Sequence, residues 1–197
     1  MISPSTPQSL DALTASASGW SDPDNDPEGY TYNWLIRESG SWVNAGVTTA
    51  ELPASATQRG DKFKVECTPF DGLESGTPIT STSVEIGNGP PTIADCSLEP
   101  DPAVTDDRLQ ATASGIDDPD GDTTTVNYEW RINGSLQTNI TGDTLNKSKT
   151  EKGDVVEVAC TVNDGTIDGN TVTDSVTIDN SPPSDSTISF NPTAPMT

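Results

Sequence analysis

The chain has 197 residues, with 9 Lys or Arg against 31 Asp or Glu, so its net charge at pH 7 is -22. This excess of acid argues against binding to nucleic acid or docking on anionic lipid, because both need clustered Lys and Arg. No apolar run approaches the roughly 18 residues of a membrane span, and the absence of His removes the commonest general base and the usual zinc ligand.

The sequence is built largely from two copies of one repeat. The first copy contains LTASASG at residues 13–19, and the second contains LQATASG at residues 109–115. Trp34 and Trp130 lie 96 positions apart, and Cys67 and Cys160 lie 93 apart. Other matched phrases are Arg59-Gly60-Asp61 with Lys152-Gly153-Asp154, and Gly87-Asn88-Gly89-Pro90-Pro91 with Asp179-Asn180-Ser181-Pro182-Pro183.

Within each copy, apolar residues alternate with polar ones. A period of two is typical of strands that have one buried and one solvated face. Short strands separated by Gly, Pro, Asp and Asn turns, in units of about 100 residues, predict β-sandwiches. In the first copy the alternating residues are Leu13, Ala15 and Ala17; Tyr32, Trp34 and Ile36; and Phe63, Val65 and Cys67.

A short acidic loop follows the second predicted strand of each copy. Like charges this close repel one another unless a cation neutralises them, and Ca²⁺ accepts six to eight oxygen ligands in irregular geometry. We therefore predict calcium loops, although a solvated acidic turn without an ion is the simpler alternative. The candidate ligands are Asp22, Asp24 and Asp26 in the first loop and Asp118, Asp120 and Asp122 in the second.

An EF-hand does not fit the second loop. Its sixth position requires Gly but is Thr123, and Glu129 at its twelfth position lies inside a predicted strand.

The Trp on the third predicted strand and the Cys on the sixth resemble core positions of immunoglobulin-like sandwiches. Ala15 and Ala111 stand where that family has its other Cys, so the usual inter-sheet bridge is absent. With their acidic loops, the repeats are more similar to the cadherin-like and PKD-like calcium-binding repeats of bacterial extracellular surface proteins. The resemblance implies an all-β chain of two tandem immunoglobulin-like sandwiches, residues 1–88 and 89–182. Residues 183–197 are then the first strand of a further repeat, or a strand donated to a neighbouring subunit.

An immunoglobulin-like topology places the acidic loop and the turn after the sixth strand at one end of the sandwich. Asp71 would then join the ligands of the first loop, and Asp164 those of the second. The alternative is that both are ordinary Asp-Gly hairpin turns. As in cadherin-like rods, calcium at this end would restrict the angle between repeats.

The equivalence of Cys67 and Cys160 leads to a disulfide hypothesis. Cys96 opens the second copy, so a Cys96–Cys160 bridge would pin its first strand to its sixth, and Cys67 would lack a partner. Three small buried thiols are the alternative. Glycosylation sequons are present at Asn133, Asn139 and Asn146.

These features favour a non-enzymatic structural or adhesive protein outside the cell or on its surface. It would serve as a calcium-stiffened stalk or filament segment whose partners are neighbouring repeats or identical subunits. Strand donation by residues 184–197 would give head-to-tail fibres. The alternative is a carbohydrate-binding accessory module that stacks surface glycans on Trp20 or Trp42. An enzyme with paired carboxylates is disfavoured, because the acidic residues lie on turns with no sign of a cleft.

Overall fold

The alternating residues form strands in both repeats, except that Ala17, predicted on the second strand, lies beyond the end of that strand at Ala15. The structure is a computed structural model and describes residues 1–24 and 26–186. Its backbone contacts divide the chain into two units. Unit 1 consists of Met1–Thr92, Ile116–Thr125 and Val162–Asn170, and unit 2 of Ile93–Gly115, Val126–Thr161 and the chain from Thr171 onward. None of the described helices is long and apolar enough to cross a bilayer.

The first repeat forms two sheets. One has the strand order β1-β2-β5, and the other β4-β3-β6-β7, with β8 also paired to β6. The strands are β1 (Ile2–Ser3), β2 (Leu13–Ala15), β3 (Tyr30–Glu38), β4 (Ser41–Asn44), β5 (Glu51–Leu52), β6 (Lys62–Pro69), β7 (Ile79–Thr80) and β8 (Val84–Glu85), with a 3-10 helix at Ala54–Ala56.

The second repeat forms the same kind of pair. Its sheets have the orders β14-β11-β9 and β10-β16-β15-β12-β13, and β10 runs parallel to β16. The strands are β9 (Asp95–Glu99), β10 (Ala103–Val104), β11 (Leu109–Ser114), β12 (Thr125–Ile132), β13 (Ser135–Leu136), β14 (Thr144–Leu145), β15 (Val155–Asn163) and β16 (Asp168–Asp179), with a 3-10 helix at Lys147–Lys149.

Each repeat has a core closed around one tryptophan. Trp34 on β3 and Trp130 on β12 are both fully buried. Each donates its indole N–H to a carbonyl oxygen, Thr49 O at 3.0 Å and Gly142 O at 2.8 Å, so neither core contains an unpaired donor from the ring. Buried residues from both sheets of the first repeat meet in one cluster, which confirms the predicted β-sandwich.

A disulfide joins the two sheets of the second repeat. It links Cys96 on β9 to Cys160 on β15, with 6.0 Å between their Cα atoms, and both residues are buried. The equivalent of Cys160 in the first repeat, Cys67, is a free, half-buried thiol whose pKa is raised mainly by burial. Most of the predicted C-terminal strand, residues 187–197, lies outside the described residues.

Candidate functional site

The two acidic loops have the same local geometry. In the first, Asp22 Oδ1 accepts hydrogen bonds from the backbone N–H groups of Asp24 at 2.7 Å and Asp26 at 3.3 Å. In the second, Asp118 Oδ1 accepts from Asp120 N at 2.9 Å and Asp122 N at 3.0 Å. The first carboxylate of each loop therefore caps the turn, as Asp side chains commonly do.

Asp71 and Asp164 cap the turns that follow β6 and β15. Asp71 Oδ1 accepts from Leu73 N at 2.7 Å and Glu74 N at 2.6 Å. Asp164 Oδ1 accepts from Thr166 N at 2.7 Å and Ile167 N at 2.8 Å. The backbone bond from Glu74 is the main cause that lowers the pKa of Asp71, and the bond from Ile167 is the main cause for Asp164, because both stabilise the ionised form.

An arginine binds the second acidic loop. The guanidinium of Arg59 binds Asp122 in a fork, with Nη2 donating to Oδ1 at 3.0 Å and Nη1 donating to Oδ2. Nη1 also donates to Asn88 Oδ1 at 2.5 Å and lies 3.9 Å from Asp120 Oδ2. The hydrogen bond from Arg59 is the main cause that lowers the pKa of Asp122 and raises that of the arginine. Such bidentate pairing suits a planar guanidinium.

The remaining carboxylates of this network are held by neutral donors. Ser9 Oγ donates to Asp120 Oδ1 at 2.5 Å, and Gly89 N donates to Asp120 Oδ2 at 2.7 Å. The Asp120 side chain is only 4% exposed. Asn88 Nδ2 donates to Asp164 Oδ2 at 2.7 Å, so this amide connects Arg59 to the turn after β15. All of these residues belong to unit 1.

The predicted ligands of the second loop thus share one network, which we call the Arg59 network (Ser9, Arg59, Asn88, Gly89, Asp118, Asp120, Asp122 and Asp164). Asp118 Oδ2 is buried without a hydrogen-bond partner, and an unpaired buried oxygen of this kind can take a cation. Nevertheless, no group of three or more described His, Cys, Asp or Glu residues is placed so as to hold a metal. The guanidinium supplies part of the positive charge that calcium would bring.

The first loop is less constrained. Asp22 and Asp71 line one depression of about 190 Å³, together with Trp20, Phe70 and Glu74. Asn25, at the centre of the loop, lies outside the described residues. The structure therefore brings Asp22 near Asp71, whereas it records only the capping bonds for Asp24 and Asp26.

The two tryptophans outside the cores pack against neighbouring side chains. Trp20 meets Tyr30 edge to face, with 6.0 Å between ring centroids. The ammonium of Lys64 lies 4.7 Å from the ring centroid of Trp42, and the guanidinium of Arg37 lies 6.0 Å from it. Cation–π contacts of this kind use the ring face on which a sugar would stack.

The three sequon asparagines are exposed. The amide nitrogen of Asn133, to which a glycan would be attached, already donates to Asp154 Oδ1 at 2.7 Å. Asn146 Oδ1 accepts from Ser148 N at 3.0 Å and so caps a 3-10 helix. Glycosylation at Asn133, Asn139 and Asn146 stays a prediction.

The sequence pattern identified the acidic loops but not Arg59, the cationic residue that binds the second loop. Arg59, Asn88 and Gly89 lie in phrases that recur in both repeats, and that recurrence was the available signal. Ser9 carried no signal, because a single Ser in a Ser-rich chain is unremarkable.

No protein-family model matches the sequence, and no curated protein is significantly similar to it. Among solved structures, the chicken interferon gamma receptor alpha chain aligns with 91% of this chain and 96% of its own, at 8% identity and a TM-score of 0.52. A chicken tenascin segment of two fibronectin type III domains aligns with 90% of this chain and 96% of its own, at 11% identity and a TM-score of 0.39.

A Ca²⁺-stabilised adhesin with which an Antarctic bacterium binds ice aligns with 86% of this chain and 42% of its own, at 18% identity and a TM-score of 0.28. The first likeness shows the fold, that of tandem immunoglobulin-like and fibronectin-like sandwiches. The other two are too low to carry any argument.

Proposed function

We propose that this chain is a non-enzymatic structural segment of an extracellular stalk or filament. The Arg59 network is the observation that supports the proposal most directly. It uses the acidic side chains to hold together stretches 63 and 76 residues apart, which is the work of a scaffold rather than of a catalyst. The Cys96–Cys160 bridge fits an oxidising compartment, because cytosolic thiols are kept reduced.

Calcium is the cation that we propose for the acidic loops. In the second loop, Asp118 would offer its unpaired Oδ2, and Asp120, Asp122 and Asp164 would be the other ligands. In the first loop, Asp22, Asp24, Asp26 and Asp71 would serve. Bound calcium would neutralise the negative charge of these carboxylates. In the second loop, Arg59 already neutralises part of that charge.

Thermal unfolding of the full chain, with calcium added and with EDTA, tests the proposal. Extracellular calcium modules bind with Kd values of roughly 10⁻⁴ to 10⁻³ M. At ten times Kd, a ligand of the folded state adds about 1.4 kcal/mol. We expect a stabilisation of this size, and we expect Asp118→Asn to reduce it.

Asp117→Asn is the matched control. Asp117 is the exposed neighbour that engages Thr92 through its own backbone N–H and carbonyl oxygen and not through its carboxylate, so this variant should respond to calcium as the wild type does. Identical melting curves in EDTA and millimolar calcium would refute the calcium part of the proposal. An equal response of both variants would place the ion elsewhere.

The carbohydrate-binding alternative is less favoured. Trp42 already contacts two cationic side chains and Trp20 packs edge to face with Tyr30, so both rings already have side-chain partners. Loss of glycan-array binding on Trp42→Ala would reverse this order.

A further inference from the structure

The cation of the Arg59 network has an equivalent in the second repeat. Lys152 takes the place of Arg59 in the matched phrases, and Asn180 takes the place of Asn88. Lys152 is exposed and forms no ion pair with any described residue. The side chain of Asn180 donates to the carbonyl of its neighbour Ser181 at 2.8 Å. The second repeat thus presents a cation and an amide to which the described chain brings no acidic loop.

The first acidic loop resembles the second but has no cationic partner among the described residues. Asp24 and Asp26 take the places of Asp120 and Asp122, and Asp22 caps them as Asp118 caps its own loop. None of the described Lys or Arg residues forms an ion pair with either side chain. Its capping bonds match those of the loop that binds Arg59, but no described Lys or Arg is paired with it.

A groove in unit 1 is a second, independent feature, and a strand of another copy would fit it. It has a volume of about 320 Å³ and is lined by Ala17, Trp20, Tyr32, Cys67 and Ile79, among others. Ile79 at its rim is 69% exposed. Strand β1 pairs with β2 through Ile2, opposite Ala15, and Ser3, and Met1 adds two backbone hydrogen bonds to Ser16, so the described pairing stops short of Ala17.

In the second repeat a longer strand fills the equivalent space. Strand β9 pairs with β11 over five residues, with Leu98 opposite Ala111 and Cys96 opposite Ala113. From there Cys96 reaches Cys160, the equivalent of Cys67. A strand that filled the groove of unit 1 in the same register would therefore place one side chain against Cys67.

The C-terminal sequence has the composition of such a strand. Ile188, Phe190 and Pro192 follow the spacing of Cys96, Leu98 and Pro100. Eight positions separate Asn88 from Cys96, and eight separate Asn180 from Ile188. The segment from Asn180 to Ile188 therefore has the same length as the segment from Asn88 to Cys96 on β9.

We propose that copies of this chain join head to tail. Lys152 and Asn180 of one copy bind the loop around Asp24 and Asp26 of a second copy, and residues 187–192 of the first copy fill the groove beside Cys67 of the second. The donated strand replaces β1, which is only two residues long. Main-chain hydrogen bonds at a sheet edge supply affinity in such strand addition, and pockets for alternate side chains supply register. This rests on the proposed function only in that the chain works as a segment of a linear array.

Disulfide trapping of the full chain tests the register. In this register, position 188 takes the place of Cys96, so Ile188→Cys should form a bridge to Cys67 of another copy when oxidised glutathione is supplied as the electron acceptor. We expect a ladder of multimers in non-reducing gels and the 188–67 bridge in peptide maps. Ser189→Cys is the matched control, and it should cross-link roughly tenfold less, because successive residues of a strand point to opposite faces.

Cross-linked dimers that survive Cys67→Ala in the Ile188→Cys background would overturn the proposal, because the bridge would then join two copies of position 188. Equal cross-linking of both cysteine variants, or a bridge closed within one chain, would also overturn it.

A charge reversal tests the polar contact without any thiol. Lys152→Asp should weaken self-association measured by sedimentation, whereas Lys149→Asp, a reversal at another exposed lysine, should leave it unchanged. Raised salt should weaken the wild type in the same direction. A wild-type chain that remains monomeric at all concentrations would refute head-to-tail joining. It would leave the proposed calcium response unaffected, because that response does not require a second copy of the chain.

Discussion

Removal of the Cys96–Cys160 bridge should cost the second repeat much of its stability. The bridge closes a stretch of 64 residues, and the chain-entropy relation for a loop of that length gives about 4 kcal/mol. Domains of this size unfold with roughly 5–15 kcal/mol in total. We therefore expect Cys96→Ala with Cys160→Ala, or reduction of the wild type, to lower the midpoint of urea unfolding strongly.

Hydrogen exchange read by mass spectrometry locates the loss. Protection should fall over residues 126–161, whereas residues 30–69 should keep theirs. Cys67→Ala is the matched control, because that thiol occupies the equivalent position without a bridge. We expect it to change stability by about 1 kcal/mol or less, as for a small half-buried side chain. A double variant that loses less than the control, or that loses protection equally over both ranges, would refute the assignment.

Two further predictions concern the Arg59 network and the packing near it. The lowered pKa of Asp122 means that its carboxylate adds stability above the unfolded value of about 4 and loses it as the pH falls through the lower folded value. Arg59→Gln should therefore flatten the acid limb of Tm plotted against pH, and an unchanged limb would show that the ion pair contributes nothing. Gly169→Ala should destabilise by about 1–3 kcal/mol, because the new Cβ would collide with the carbonyl oxygen of Pro91. Gly142→Ala meets nothing within 4 Å, so its Tm should stay close to that of the wild type, and equal Tm values for both variants would contradict the steric account.

The fold was accessible to sequence reasoning because burial and alternation are local. Leu13 and Ala15 on β2 are buried with Thr14 exposed between them, as a period of two requires. The repeat gave the same information twice, so Trp34 and Trp130 could be recognised as one position. Only the ends of the strands depended on contacts that a sequence does not display.

The Arg59 network was not accessible in the same way. Which of nine basic residues reaches Asp122 depends on two stretches that are 63 positions apart in the chain. Asp22 and Asp118 were predicted to bind an ion, but each gives one oxygen to backbone N–H groups, because a tight turn must satisfy its own donors first. Composition counts the charges of a chain without showing which of them are already paired.

The makeup of unit 1 has a practical consequence for anyone who divides this chain for expression. A cut at the sequence boundary near residue 88 would deprive that unit of residues 116–125 and 162–170, which belong to its backbone contacts. The shortened N-terminal piece would carry Arg59 without its carboxylate. Isolated halves would therefore understate the thermal resistance of the intact polypeptide, and limited proteolysis of the whole chain is the better guide to where it can be dissected.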